Sequence, residues 1–415
     1  MMRPQRLDAV LPLLARVSKP PAVVVGLCTH GLANVRSLAR RGIPVVALES
    51  NWSQPSARTR LGWKVGLDAL EGPPLHAALD AIAAASPKRP VLYVTNDRMV
   101  RDLNEDQDRW RERFHLLFPR AALLSELIEK DTLAPLAARQ GLTLPRSWSV
   151  SGAEARGERP SAALDAVRFP CIAKPATPMS AIKVLRPDSR ASLADAARQH
   201  PEIDRFIVQE WIPGDDQRVF FTAYYFDRQG SVRYPFAGQK IRQTPRTLGN
   251  STAARGVDRP DLVDEGLKLF RGLDYRGVAS VEFKLAPDGT PYFIEATVGR
   301  SDFWMKTLIV NGVDLPALVY ADLTGEAIAA PSKQRNRHAW VDGDRDLGVF
   351  LESLSDPAIP KGRLLRELLE PKRFALYDWR DPVPYVVWCG RLARKIAGAL
   401  RRRLPGGRAM GAAGA

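Results

Sequence analysis

The stretch from Val278 to Arg300, VASVEFKLAPDGTPYFIEATVGR, constrains the fold of this chain more than any other. Two β-rich runs flank Asp288-Gly289, a dipeptide suited to a two-residue hairpin because both turn positions need positive φ. With that dipeptide as the loop, Pro287 faces Thr290 and Glu282 stands directly opposite Glu295. One face then carries Val281, Phe283, Leu285, Tyr292, Ile294 and Val298, an apolar set that needs a core. The other carries Ser280, Glu282, Lys284, Glu295 and Thr297. Two carboxylates facing each other across a hairpin repel, so the pair asks for a compensating cation. Two readings stand. In one the face is solvated and Lys284 softens the repulsion. In the other the acids hold Mg²⁺, a cation usually bound by one or two carboxylates and completed by substrate phosphates.

A chain of 415 residues has room for two or three domains. Its 45% hydrophobic and 26% charged residues are those of an ordinary globular protein. The net charge of +15 is unevenly spread, with seven Lys/Arg and no acid from Pro382 to Ala415. The remainder is only mildly basic, which argues against a broad nucleic-acid footprint and for a specific anionic ligand plus a basic tail. Cys28, Cys171 and Cys389 are far apart and lack metal-ligand spacing, so a reduced, cytoplasmic setting is expected. Neither a cleavable signal peptide nor a membrane-spanning apolar run is read.

Pro21 to Ser50 reads strand, turn, helix, strand, a βαβ unit whose ligands approach the carboxyl ends of its strands. Gly26, His30 and Gly31 do not meet the dinucleotide fingerprint, which argues against nicotinamide binding. VLYVTND (Val91 to Asp97) is a further strand, ending in Asn96 and Asp97, which cap the next helix or line a site. Glu126 to Gln140 reads as a helix carrying Lys130. Arg168 to Lys174 is a short strand whose final lysine serves a bound phosphate or guards a sheet edge. Phe206 to Trp211 is a strand followed by the sharp turn Ile212-Pro213-Gly214-Asp215-Asp216. Two more strands precede QKIRQTPRTLGNSTAARG, which gathers Lys240, Arg242, Arg246 and Arg255 and reads as a mobile polyanion-binding loop, or a solvated one.

Asp261 to Leu273 is an amphipathic helix leading into the acidic hairpin. Beyond Arg300 the pattern is helix, turn, helix, and Pro331 to Gly348 reads as polar and irregular. Arg363 to Leu369 is a short helix. Tyr385 to Arg403 is a basic helix with an apolar side, which docks on its own protein or lies on an anionic bilayer, the former ranked first. LPGGRAMGAAGA at the end is expected to be disordered.

This order of a βαβ domain, a lysine-bearing helix, a strand lysine, a Q-E-x-I-P-G hinge, a basic segment and an acidic hairpin resembles the ATP-grasp superfamily. The likeness is greatest to its carboxylate–amine ligase-like branch and covers roughly Val23 to Gly325. The resemblance implies a pre-ATP-grasp α/β domain over 21–125 after an N-terminal extension (1–20). It implies a two-subdomain ATP-grasp fold over 126–328, with its lid near 168–212, and a C-terminal extension with a basic helix over 329–415. It implies ATP and Mg²⁺ or Mn²⁺ as cofactors, and small-molecule carboxylate and amine substrates. No specific nucleic acid is implied, and contact of the basic helix with the inner face of a membrane is the one peripheral partner considered.

Residue by residue, the resemblance assigns Lys130 to the first nucleotide lysine, Lys174 to the lysine on the α/β-phosphate and the adenine side, and Glu210 to the adenine amino group. Trp211 and Ile212 offer backbone contacts to the base, and Asp215 or Asp216 meets the ribose. Lys240 and Arg242 match the basic pair on the γ-phosphate. Glu282 and Glu295 match the metal carboxylates, with Thr297 where the family usually has asparagine. Arg300 resembles the arginine that holds the acyl phosphate or carboxylate, one residue further from Glu295 than in the common pattern. The loop ATPMSAI after Lys174 lacks the family's glycines. The implied chemistry is ATP-dependent activation of a carboxylate as an acyl phosphate and its transfer to an amine. A non-catalytic ATP-binding sensor or membrane-surface scaffold that keeps the cleft is the alternative.

Overall fold

Val23–Val25, Val45–Leu48 and Val91–Val94 are uninterrupted apolar runs, and each becomes a fully buried strand. The structure, a computed structural model, describes residues 4–176 and 184–403. The loop ATPMSAI after its first alanine, and the LPGGRAMGAAGA tail, lie outside the described residues. The chain divides into two compact units, one made of the residues up to Leu117 with those from Gly299 onward, the other of Phe118–Val298.

In the first unit, β1 (Ala22–Val25), β2 (Val45–Glu49), β3 (Trp63–Gly66), β4 (Val91–Val94) and β5 (His115–Leu116) form a parallel sheet in the order β3-β2-β1-β4-β5. Strand order reverses between β1 and β4, the switch point at which open α/β sheets present ligands. The corner after β1 is tight. Gly26 has φ +89°, and a Cβ there would stand 2.2 Å from Thr95 Oγ1. A Cβ on Gly31 would stand 1.9 Å from the Gly26 carbonyl oxygen. Close packing of the corner against the Thr29–Ala39 helix therefore accounts for both glycines.

In the second unit, after helices Ala121–Ile128 and Lys130–Arg139, come β6 (Ser147–Ser151), β7 (Cys171–Pro175) and β8 (Arg205–Glu210), antiparallel in the order β6-β8-β7. Val150, Leu164, Ala173, Leu193, Phe206 and Val208 form its core. Next come β9 (Val219–Phe226), β10 (Val232–Thr244), β11 (Asn250–Gly256), β12 (Gly277–Leu285) and β13 (Pro291–Val298), an antiparallel ladder ordered β13-β12-β9-β10-β11. β9 and β12 are buried along their whole length.

Two expectations change here. The basic segment is no loop: β10 runs on through Thr244 and pairs with β11, with register shifts around Arg242. Its charges pointed to solvent, but Lys240 and Arg242 are buried. The acidic hairpin keeps Glu282 opposite Glu295, yet a bulge between Glu282 and Phe283 pairs Phe283 with Phe293 and Lys284 with Tyr292. Phe293 thus joins the core and Tyr292 sits on the face of Lys284, because the extra residue reverses the alternation towards the turn.

The remainder of the first unit follows Gly299. Pro331 to Gly348, expected to be irregular, contains β14 (Ala339–Val341) and the start of the Gly343–Ser355 helix. β14 pairs in parallel with β15 (Lys372–Phe374), and three residues are too short a run for periodicity to reveal. Helices Lys361–Leu369 and Val383–Arg403 complete the chain.

This segment is fastened by Arg36 of the Thr29–Ala39 helix, which is 2% exposed against a fully buried Asp381. Arg36 Nε donates to Asp381 Oδ2 at 2.9 Å, and its two Nη atoms donate to the carbonyls of Ala375, Leu376 and Asp381. Thr59 Oγ1 and the Arg60 N–H complete the shell of Asp381 at 2.6 and 2.9 Å. Removing one partner of such a pair leaves a buried, uncompensated charge. Arg36→Met is expected to lower stability in urea unfolding by about 3–5 kcal/mol; a loss below about 1 kcal/mol would mean that the anchor lies elsewhere.

Candidate active site

β12 places Ser280, Glu282 and Lys284 on one face, and β13 sets Thr297 opposite Ser280 and Glu295 opposite Glu282. Lys240 reaches this face from β10, across the intervening β9, and its Nζ lies 2.5 Å from Glu282 Oε2. The two side chains are 4% and 9% exposed, so the ion pair is shielded from water. Lys240 Nζ also donates to Gln243 Oε1 at 3.2 Å. Glu295 is exposed, while Thr297 and Arg242 are buried.

Two residues beyond Glu282, Lys284 Nζ donates to the carbonyls of Gly214 and Asp215, both at 2.8 Å, and lies 5.4 Å from the centre of the Trp211 ring. Burial pulls its pKa down to about 8, against the attraction of Asp216 and Asp215. Lys284 is thus a brace between the acidic face and the turn after β8. Its sequence position suggested only a softening of acid repulsion. The signal for more was a lysine within a strand otherwise apolar enough to be wholly buried.

The turn itself is internally fixed. Asp216 is buried and accepts from Gln243 N, Gln243 Nε2 and Thr247 N at 3.1, 3.1 and 2.8 Å, which ties it to the β10–β11 connection. Asp215 is exposed and accepts from Gln217 N at 3.0 Å. Ile212 is buried, and Arg186 stacks over Trp211 at 4.8 Å. Glu210 ends β8, where Oε2 accepts from Arg146 N at 3.4 Å. Lys174 pairs with Ile207 across β7 and β8 and donates to Gln209 Oε1 at 3.4 Å. Lys130 is the first residue of the Lys130–Arg139 helix.

Among the described residues no three His, Cys, Asp or Glu side chains are gathered to hold a metal ion. Glu282 and Glu295 supply two facing carboxylates and Thr297 a hydroxyl beside them. That donor set fits a hard, oxygen-seeking cation whose shell is completed by water and phosphate oxygens.

All the site residues expected from sequence lie in the Phe118–Val298 unit except Arg300, which lies in the other. There Arg300 Nε donates to Asp97 Oδ1 at 2.5 Å, Nη2 to Asp97 Oδ2 at 3.2 Å, and Nη1 to Asp302 Oδ2 at 2.6 Å. Burial opposes its charge, but Asp302 and Asp97 outweigh burial and raise its pKa. Burial pushes the Asp302 carboxyl up, but Arg300 and His30 together bring it down to about 2.

Sequence reading missed the pair beside it. Cys28 caps the Thr29–Ala39 helix, with Sγ 3.0 Å from His30 Nε2, which also lies 3.0 Å from the Thr95 carbonyl oxygen. Burial disfavours both charges, yet Cys28 and Asp302 lift His30 to about 9. His30 in turn lowers the Cys28 thiol against its own burial. The contact thus favours the thiolate–imidazolium form more than either group alone would. Asp342 Oδ2 accepts from Thr29 Oγ1 at 3.4 Å, and burial raises its carboxyl to about 6.

No family profile matches the chain. A D-aspartate ligase of Enterococcus faecium (strain Aus0004) is 30% identical over 122 residues, which are 28% of this chain and 28% of the relative's own length. The match thus spans under a third of that relative. The ADP complex of an N5-carboxyaminoimidazole ribonucleotide synthetase superposes with a TM-score of 0.59 at 15% identity, covering 82% of this chain and 87% of the other. The L-amino acid ligase of Bacillus licheniformis superposes with a TM-score of 0.55 at 16% identity, covering 74% of each. The chain shares the fold of these proteins, the ATP-grasp fold.

The Cys28–His30 pair can be tested by alkylation. At pH 7 His30→Gln should slow iodoacetamide labelling of Cys28 about tenfold, and the difference should narrow as pH rises. Equal rates at pH 7, read by mass spectrometry of the Cys28 peptide, would overturn the ion pair.

Proposed function

We propose that this chain, built on the ATP-grasp fold, is an ATP- and Mg²⁺-dependent ligase that activates a carboxylate as an acyl phosphate and transfers it to an amine. The observation that carries the reading is the buried Lys240 against Glu282, with Glu295 facing Glu282 across the hairpin. Phosphoryl transfer needs little from a protein beyond positioning and neutralised charge, and that face supplies both signs at close range. The names of the similar proteins, two amino-acid ligases and an ADP-bound synthetase, support the same class of reaction.

In this reading Lys130 contacts the nucleotide, Lys174 meets the α/β-phosphate and the adenine side, and Glu210 accepts from the adenine amino group. The backbone of Trp211 and Ile212 borders the base. Asp215 is the better ribose partner, because Asp216 is committed to the β10–β11 connection. Lys240 and Arg242 neutralise charge on the γ-phosphoryl group as a carboxylate oxygen bonds to phosphorus and ADP leaves. The amine nitrogen then bonds to the acyl carbon, phosphate leaves, and the nitrogen gives up its proton. Glu282, Glu295 and Thr297 would hold Mg²⁺, which when bound offsets negative charge on the phosphates. Arg300 is clasped by Asp97 and Asp302, and holding an acyl phosphate or carboxylate would require it to exchange one of them for that anion.

A second reading, a nucleotide-binding sensor or scaffold without turnover, draws on Thr297, a weaker metal ligand than an amide. ADP release that rises only when a carboxylate and an amine are both supplied supports the ligase; nucleotide binding with no release under any substrate pool supports the sensor. Within the ligase reading, Glu295→Gln is expected to abolish ADP release while leaving the circular dichroism spectrum unchanged. Lys240→Met should cost about 10²–10³ in rate. Near-normal release by Glu295→Gln with Mg²⁺ present would remove the metal role from the hairpin.

A further inference from the structure

Thirteen large hydrophobic side chains are exposed among the described residues, and eleven of them fall between Leu347 and Ile396. Single exposed leucines are ordinary, whereas such a concentration marks an interaction surface. Its pattern is helical. The Gly343–Ser355 helix exposes Leu347, Leu351 and Leu354, four and three residues apart, while Val349 and Ser353 are buried. The Lys361–Leu369 helix exposes Leu365, Leu368 and Leu369 and buries Leu364. Each helix thus has one face packed on the protein and an apolar stripe left outside it.

The two helices are joined at their ends, where Lys361 Nζ donates to the Leu354 carbonyl oxygen at 2.5 Å. After β15 come Tyr377 and Trp379, 50% and 71% exposed, with Arg380 stacked on the Trp379 ring at 4.7 Å. Amphipathic aromatic rings of this kind favour a membrane–water boundary. The Val383–Arg403 helix settles against the Pro55–Arg58 turn. It leaves Val386, Arg394, Lys395 and Ile396 exposed. That helix carries six Lys/Arg and no acid.

We propose that the segment from Gly343 to Arg403 is a docking surface for an anionic phospholipid bilayer, on which the leucine stripes and Trp379 enter the interface while the basic helix meets the headgroups. Charge decides between occupants. A second copy would bring like-charged helices towards each other, and a nucleic acid would satisfy the cations but not the leucines. An anionic bilayer satisfies both. Among the described residues no helix is long and apolar enough to cross a membrane, so the association is peripheral. The surface lies outside the residues assigned to catalysis, so it stands or falls independently of the proposed ligase activity.

The test is co-sedimentation of the full chain with vesicles, alongside its mass in solution by light scattering. Vesicles of phosphatidylcholine containing about one-third phosphatidylglycerol should bring the protein down, pure phosphatidylcholine should not, and added salt should release it. Arg394→Glu with Lys395→Glu should weaken binding by about tenfold or more, because each basic side chain near the surface contributes. Leu368→Asp with Leu369→Asp should weaken it comparably. These side chains are exposed, so thermal melts and nucleotide binding should stay at the parent values and separate lost docking from lost fold. No sedimentation with the anionic vesicles would overturn the proposal, as would binding indifferent to both pairs of substitutions. So would a dimer that the leucine substitutions dissolve in the absence of vesicle binding.

Discussion

The buried contact between Lys240 and Glu282 is the constraint on which the Phe118–Val298 unit depends. Each side chain lies where an isolated charge would cost several kcal/mol, so neither is tolerable without the other. They sit on strands that flank β9, and Lys240 meets Glu282 only if β10 continues as a strand past Gln239. That continuation brings Gln243 beside Lys240 and lets Asp216 collect the N–H groups of Gln243 and Thr247. The turn after β8 is then fixed from two sides, by Asp216 towards β10 and by Lys284 from β12. One electrostatic requirement propagates through three strands and a turn.

What the sequence reveals of this follows from how local each signal is. The parallel strands of the first unit are legible because Val23–Val25 and Val91–Val94 are apolar without interruption. Glu282 opposite Glu295 is legible because Asp288-Gly289 marks the turn, although the bulge next to Glu282 is not. Counting from a tight two-residue turn and crossing an unseen bulge shift the register by compensating amounts, so the acids come out right while Tyr292 and Phe293 exchange faces. The basic segment misleads for the opposite reason. Lysine and arginine are read as solvent-facing, and only a partner 42 positions along the chain makes Lys240 an interior residue. β14 and β15 hide because three-residue strands carry no period.

Long-range charge pairing also explains the polar cluster at the carboxyl ends of β1 and β4. Arg300 was picked out by its place after the acidic hairpin, but its partners, Asp97 and Asp302, come from a helix start and from its own loop. Cys28 and His30 look like fragments of a failed glycine motif until the fold closes the corner at Gly26 and aims His30 at Thr95. The glycines serve packing, and the side chains between them carry the chemistry. Motif reading weights the wrong residues here because it matches spacing and cannot see the 3.0 Å contact between a thiol and an imidazole.

The same pairing bears on how metal and nucleotide would enter the proposed site. Glu282 already faces a cation, so a divalent ion arriving alone would have to compete with the Lys240 ammonium for the same carboxylate. Lys240 and Lys284 stand against Glu282 and Glu295, and Asp216 and Asp215 also attract Lys284, so the face carries no cationic excess. Lys284, at about 8, stays largely charged at neutral pH. A nucleoside triphosphate would add negative charge to a face already balanced. Its phosphates would draw Lys240 towards themselves and uncover Glu282 just as they supply the oxygens that two carboxylates and a threonine cannot. On this reading each ligand creates the vacancy the other needs, which makes their binding cooperative. Thr297 reinforces the dependence, because a neutral hydroxyl in place of an amide carbonyl leaves the ion still more reliant on phosphate oxygens.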